Sequence, residues 1–360
     1  MIVILPDKFD TVKKPTILAF LLLTILFSFS VRVVNAQQKQ VKIACIGFYN
    51  LENLFDTIDD PKIDDAEFLP NSPSAWTSQR YHAKLEHLAE VISQIGNEYA
   101  KEGPIIMGFS EVENRGVVED LVSTPPLSKS GYKVIHYDSP DRRGIDVTLV
   151  YQAKYFRVLS SFPHPFVMAD TNFKTRDILQ VDGILDGDTI HLLVNHWPSR
   201  SSGEKESAPK RNAAGDLCKS IVKSIYKTSP NAKIIIMGDL NDDPVDESLI
   251  KHLGVKSKVE TMQDQDLYDP MIKLYKEGVG SLAYKDSWNL FDQIIVSSAL
   301  TDQKTGGYKF LKARIFNQKF LLQKDGAYAG YPFRTFAGGV YQGGYSDHLP
   351  AYIFLAKEVK

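Results

Sequence analysis

Residues 234–244 read Ile-Ile-Ile-Met-Gly-Asp-Leu-Asn-Asp-Asp-Pro, and how this stretch is read decides the fold. The apolar run Ile234, Ile235, Ile236, Met237 predicts a buried strand. Gly238 stops the run, and Asp239, Asn241, Asp242 and Asp243 follow at once. Pro244 then closes the stretch and can open a helix at its first position. A rigid strand of this kind delivers oxygen ligands to the rim of a sheet, a common place for an α/β site. Gly-Asp and Asn-Asp are equally ordinary turn sequences. The stretch becomes a site only if other residues converge on it.

Working outward, other strand patterns end the same way. Residues 41–49 form a strand pattern ending on Asn50, Leu51, Glu52 and Asn53, with Glu52 and Asn53 read as turn and cap residues. Residues 104–109 form another, ending on Ser110, Glu111, Val112, Glu113 and Asn114. Patterns over 132–137 and 146–151 flank a charged turn that carries Arg142 and Arg143. A hairpin pattern over 178–194 turns at Asp186-Gly187-Asp188 and delivers Asn195, His196, Trp197 and, beyond Pro198 and Ser199, Arg200. Asp292 lies inside the apolar run 290–296, where a buried carboxylate needs a partner. Ser346, Asp347 and His348 precede a last strand over 351–355.

Helical patterns separate these strands. Thr77 or Ser78 can cap a helix whose stripe is Leu85, Leu88, Val91, Ile92 and Ile95. His82 and His87 are expected on its solvated face. The Ser-, Lys- and Glu-rich stretch 199–210 is expected to be a mobile loop, and a helix should follow from about 209 to 226. Another is expected after Pro244, carrying Leu249, Ile250 and Leu253. Residues 306–344 read as long loops around a strand at 310–316, with Tyr328, Tyr331, Phe333, Arg334, Phe336, Tyr341 and Tyr345 crowded toward Ser346. Those rings could stack bases, cover a lipid or sugar group, or pack on the scaffold. There is no Gly-rich phosphate loop, no Cys/His zinc spacing and no Gly-x-Ser-x-Gly elbow.

Of 360 residues, 43% are hydrophobic and 24% charged, ordinary globular composition with ample length for a core. Lys13 and Lys14 precede an uncharged apolar run over 17–31, and Val34-Asn35-Ala36 offers a small-residue cleavage site. Residues 1–36 are therefore expected to be a secretory signal peptide, leaving 37–360 as the mature chain. The run is shorter than the roughly 20 residues of a spanning helix. Removing four cations and two acids with it takes the formal charge from −2 to −4. No global basic field draws this chain to polyanions, so any such binding is local or metal-assisted. Cys45 and Cys218 sit in apolar patterns and are expected as buried thiols.

Asn50, Glu111, His196, Asp239 with Asn241, and Asp347 with His348 are amides, carboxylates and imidazoles at five strand ends, joined by Asp292. Hard oxygen ligands suit Mg²⁺, Mn²⁺ or Ca²⁺. A divalent ion beside a His–Asp pair suits attack of water on a phosphate ester. Together with Arg143-Gly144-Ile145-Asp146 and Phe291-Asp292-Gln293-Ile294, these motifs occur in one order over about 41–356. In that order they resemble the endonuclease/exonuclease/phosphatase superfamily, of deoxyribonuclease-I-like fold, and most of all its exported bacterial branch of predicted nucleases.

The resemblance implies one four-layer α/β sandwich, two packed mixed sheets flanked by helices, with the site at one rim. It implies that Glu111 is the main metal ligand and that Asn50 and Asp347 complete or orient the shell. Asp239 and Asn241 would position the attacking water and a phosphate oxygen. His348, held by Asp292, would be the general base or a phosphate-stabilising imidazole, and His196 could protonate the leaving oxygen. Arg143 and Arg200 would clamp phosphate. The expected activity is a monomeric, exported, Mg²⁺-dependent phosphodiesterase, periplasmic or extracellular, without a stable membrane anchor, and an endonuclease on DNA or RNA. The alternative is a phosphodiesterase or phosphatase for lipid or small phosphorylated substrates.

Overall fold

The computed structural model describes residues 40–359 apart from 169, 171, 303 and 305, so the leader expected over 1–36 lies outside the described residues. In chain order the strands are β1 (Val41–Leu54), β2 (Pro104–Val112), β3 (Tyr132–His136), β4 (Asp146–Gln152), β5 (Phe156–His164), β6 (Ile178–Leu185) and β7 (Asp188–His196). There follow β8 (Lys233–Asp239), β9 (Val255–Lys256), β10 (Leu267–Tyr268), β11 (Leu282–Tyr284), β12 (Ser287–Asn289) and β13 (Asp292–Ser297). The last are β14 (Lys309–Ile315), β15 (Phe336–Ala337), β16 (Val340–Tyr341) and β17 (Ala351–Glu358). The main helices are α1 (Ser78–Gln94), α2 (Arg115–Ser123) and α3 (Glu204–Thr228).

Two large mixed sheets result. The first has the order β14-β17-β1-β2-β4-β3 and the second β5-β6-β7-β8-β13-β10-β9. Near the centre of each lies a parallel pair, β1 with β2 and β7 with β8, and antiparallel strands flank it. The unbroken apolar run in β8 follows from burial on both faces. Ile235 and Met237 face Ile46, Phe48 and Leu149 of the other sheet, while Ile234 and Ile236 face Cys218, Ile221 and Ile225 of α3. On the outer face of the first sheet, Cys45, Tyr49, Met107 and Phe109 pack against Leu85, Leu88 and Ile92 of α1. The layers are thus helix, sheet, sheet, helix, as the motifs implied. Residues Val41–Lys360 cluster as one compact unit.

Local chemistry explains the main elements and the departures from expectation. Thr77 caps α1 by accepting from the Arg80 amide. Gly238 is required because a Cβ there would strike the Asn195 carbonyl of β7. The stretch expected as a mobile loop up to 210 is instead helical from Glu204. Two acidic residues fill the first turn of α3, and buried Arg211 bonds Ser207 and the Glu204 carbonyl. Pro209, taken as a helix start, lies within α3. His87 is half-buried rather than solvated, with its Nδ1 3.1 Å from the Gly344 carbonyl. After Pro244 only a short π-type turn forms, Ser248–Leu253, with Ile250 exposed. Cys45 and Cys218 are buried free thiols in different layers. Among the described residues no helix is long and apolar enough to cross a membrane.

Candidate active site

The second sheet builds the floor. In its ladder His196, Asp239 and Asp292 stand abreast at the ends of β7, β8 and β13. The Asp239 carboxylate is the hub. Its Oδ2 accepts from Asn50 Nδ2 at 3.0 Å and lies 3.7 Å from His196 Nε2 and 3.8 Å from His348 Nε2. Its Oδ1 accepts from the Asn241 amide at 3.0 Å. Asn241 adopts a left-handed conformation, φ 51°, and donates through Nδ2 to the Trp197 carbonyl. Arg176, paired with Asp141 at 3.0 Å, donates to the same carbonyl at 2.6 Å and so pins the turn after His196.

The two imidazoles differ. His348 Nδ1 is 2.7 Å from Asp292 Oδ2, which places its proton on that nitrogen and aims Nε2 at Asp239. Ser346 Oγ accepts from the His348 amide and donates to the Asn50 carbonyl, tying the lead into β17 to β1 of the same sheet. Burial pulls the His348 pKa down, but Asp292, Asp239 and Asp347 outweigh it and hold it well above the ordinary value. His196 goes the other way. Burial, then Arg176, Arg143 and His348, press its pKa well below the ordinary value, and its Nδ1 is buried without a partner. Asp239 is pushed up to about 6 by burial, with His348 opposing and Asp292 adding to the rise. Neighbouring groups whose proton affinities are driven apart are equipped for acid and base roles.

The first sheet builds the second wall from irregular backbone. Glu111 sits at a bulge of β2 with φ 59°, and Glu52 and Asn53, φ 50° and 55°, at a matching irregularity of β1. Positive φ is costly for residues with side chains, and its concentration here marks a site. Glu111 Oε2 accepts from the Asn53 amide at 3.0 Å, and its Oε1 lies 3.9 Å from His196 Nε2. Asp347 Oδ2 accepts from Arg334 at 2.7 Å, and the same guanidinium reaches Glu52 at 3.3 Å. Lys84, buried on α1, donates to Thr335 Oγ1. Burial and Asp347 raise the Glu52 pKa against the pull of Lys84 and Arg334.

This wall tests the fit of a divalent cation. Glu52, Glu111 and Asp347 all act electrostatically on Lys84 and on Arg334. Carboxylate oxygens at a strand rim are the donor set a hard cation takes, so the residues fit. Their parts differ from expectation in detail. Asn50 uses its amide on Asp239 and on the Glu52 backbone, as an orienter rather than a free ligand. Asp347 is tied to Arg334. Among the described residues the group with ligand spacing is another one, His136, Asp138 and Asp146. There His136 is already bonded to Thr148 and Asp138, and Asp146 to the Ser139 amide.

The two arginines separate. Arg143, its side chain 53% exposed, stands at the rim beside Asp141 and within electrostatic reach of His196. Arg200 is not free to clamp phosphate: it bonds Asp242 at 2.9 Å, Asp246 at 2.7 Å and the Asn241 carbonyl, stacked over Phe291. Four acids within 4.0 Å of one guanidinium, Glu204, Asp242, Asp243 and Asp246, make it a brace for the Asn241 turn. Glu52, expected as a turn residue, Lys84, on the expected helix, and Arg176, in a loop, join the site through pairings that are only spatial.

No curated protein matches the sequence. Solved structures share the fold. TDP2 of D. rerio, complexed with single strand DNA product, is 15% identical with a TM-score of 0.53, covering 87% of this chain and 99% of that one. The human Nocturnin catalytic domain with bound sulfate anion is 16% identical, TM-score 0.51, covering 89% and 97%. An endonuclease/exonuclease/phosphatase family protein from Bacteroides thetaiotaomicron is 14% identical, TM-score 0.52, covering 89% and 100%. A sequence profile of the Endonuclease/Exonuclease/phosphatase family matches residues 45–357, and the chain belongs to that family.

Proposed function

We propose that this protein is an exported, divalent-metal-dependent phosphodiesterase that hydrolyses nucleic acid. The observation that carries the reading is the Asp239 carboxylate set between two imidazoles of opposite proton affinity, beside a carboxylate wall. Glu111 and Asp347, joined by Glu52, would hold the cation, while Asn50 orients Asp239. Bound there, Mg²⁺, or Mn²⁺ or Ca²⁺ in its place, supplies charge neutralisation and polarises a phosphate oxygen. Asp239, with a pKa of about 6, accepts the proton of the attacking water near neutral pH, and Asn241 fixes its carboxylate. His348, kept cationic by Asp292, presents Nε2 to the phosphate and can release a proton to the leaving oxygen. His196 works as a neutral imidazole that orients, in place of the expected proton donor. Arg143 meets the phosphate from the rim.

The nucleic-acid preference is supported by TDP2, a fold relative solved with a single strand DNA product. The test is a substrate panel: plasmid DNA, single-stranded DNA, RNA, sphingomyelin and inositol phosphates, each with Mg²⁺, Mn²⁺, Ca²⁺ or EDTA. Cleavage of nucleic acid that EDTA stops is expected. Turnover of lipid or inositol phosphate without nucleic-acid cleavage would overturn the substrate assignment.

A further inference from the structure

Beside Asp347 a cleft of about 400 Å³ opens between the β11–β12 hairpin and the loop before Arg334. Its walls include Tyr284 on the hairpin, Tyr328 and Tyr331 on the loop, and Lys285, while Arg334 and Asp347 form the edge shared with the active site. Tyr284 is 61% and Tyr328 46% exposed, unlike Phe336, Tyr341 and Tyr345 of the same aromatic segment, which pack on the core beneath α1. The segment therefore divides into rings that hold the scaffold and rings left facing the cleft.

Both walls are held firmly to the catalytic centre. The hairpin turns at Lys285 and Asp286, both with positive φ as such a two-residue turn requires. At its base Ser281 donates to Asp292, the partner of His348, and accepts from the Leu349 amide. At its tip the Asp286 amide donates to Tyr331 Oη at 2.7 Å, and that hydroxyl donates to the Asp286 carboxylate at 2.8 Å. The loop closes on itself through backbone bonds between Gln323 and both Gly330 and Tyr331. Tyr331 fixes the geometry and meets the Tyr328 ring in a T-shaped contact at 5.9 Å, while much of Tyr284 and Tyr328 stays exposed.

We propose that this cleft is a stacking subsite for a flat aromatic base, that of the nucleotide flanking the phosphate bound at His348. The inference deepens the nuclease reading and rests on it. Exposed tyrosine faces bind bases of any sequence, and cations beside them follow the backbone. Lys285 supplies such a cation, its ammonium 5.2 Å from the Tyr284 ring. Hydroxylated rings in an open cleft are a poor seat for acyl chains. A base reaches this cleft only from a single strand or a locally opened duplex.

The test is calorimetric titration of the full chain with Mg²⁺, comparing adenosine monophosphate with ribose 5-phosphate, which lacks the base. Adenosine monophosphate is expected to bind about 10-fold tighter or more, and Tyr328→Ala or Tyr284→Ala should erase the difference while ribose 5-phosphate binding stays unchanged. Tyr328→Leu, which keeps side-chain bulk in the loop, should lose most of the preference as well. Equal binding of the two ligands, or a preference that survives all three substitutions, would overturn the subsite. Oligonucleotide cleavage is read in the same preparations. A base preference without cleavage would sink the nuclease reading and leave the subsite standing, whereas cleavage without base preference would do the reverse.

Discussion

The two walls of the site are built by different means. The second sheet supplies His196, Asp239 and Asp292 from regular strand ends, locked in register by the β-ladder. The first sheet supplies Asn50 and Glu111 from a distorted rim, where Glu52, Asn53 and Glu111 have positive φ and loop residue Arg334 completes the wall. The second-sheet wall, with His348 held against it by Asp292, arranges protons, and the other gathers negative charge. Preorganisation of the first kind comes from sheet geometry. In the second it depends on the cations Lys84 and Arg334 holding like charges together.

That division sets the size and kind of each mutational effect. His348→Ala is expected to lower kcat about 10²- to 10⁴-fold, with Mg²⁺ binding by calorimetry retained. A rate within a few-fold of wild type would remove His348 from the chemistry. Glu111→Ala is expected to cost at least ~100-fold in rate, comparable with loss of an acid–base group, and, unlike His348→Ala, to weaken Mg²⁺ binding as well. If both variants bind Mg²⁺ equally, the walls do not divide the work as described.

Next comes the pH dependence of stability. The His348 pKa is raised by folding, so its stabilisation is fully present below the unfolded value of about 6.5 and is lost as pH rises through the higher folded value. Melting temperature against pH should show this alkaline decline, and His348→Gln should flatten it. A decline that persists unchanged in the variant would assign it to other groups.

Arg200→Ala should have the smallest effect on activity. With Arg200 as a brace and not a clamp, the substitution costs about 1–3 kcal/mol of stability by removing hydrogen bonds to charged groups, read by thermal unfolding, while KM changes little. A large rise in KM with unchanged stability would restore the phosphate-clamp role.

How much of this was legible in the sequence follows the same division. Apolar runs ending on polar residues exposed Asp239, His196, Glu111 and His348, because a strand buried on both faces must be apolar until it reaches the rim. Asp292 stood out because a carboxylate inside such a run demands a partner, and His348 is that partner. The first-sheet wall was less visible. Glu52 resembles a turn residue, and its engagement with Arg334 and Thr335 spans more than 280 positions that no local pattern connects. The helical start at Glu204 was hidden by Ser- and Lys-rich composition and becomes intelligible only once Arg211 is seen bonded to Asp242. Arg200 and Arg143 carry the same expectation of a phosphate clamp, and the acids surrounding Arg200 set them apart.

The most direct measurement is the pH–rate profile of oligonucleotide cleavage by wild type and Asp239→Asn, with Mg²⁺ and with EDTA. The predicted wild-type result is cleavage that EDTA abolishes and an acid limb falling away near pH 6, where Asp239 takes up its proton. Asp239→Asn should show a greatly reduced rate without that limb. Cleavage that persists in EDTA, or an Asp239→Asn variant with the wild-type profile, would contradict a site organised around this carboxylate.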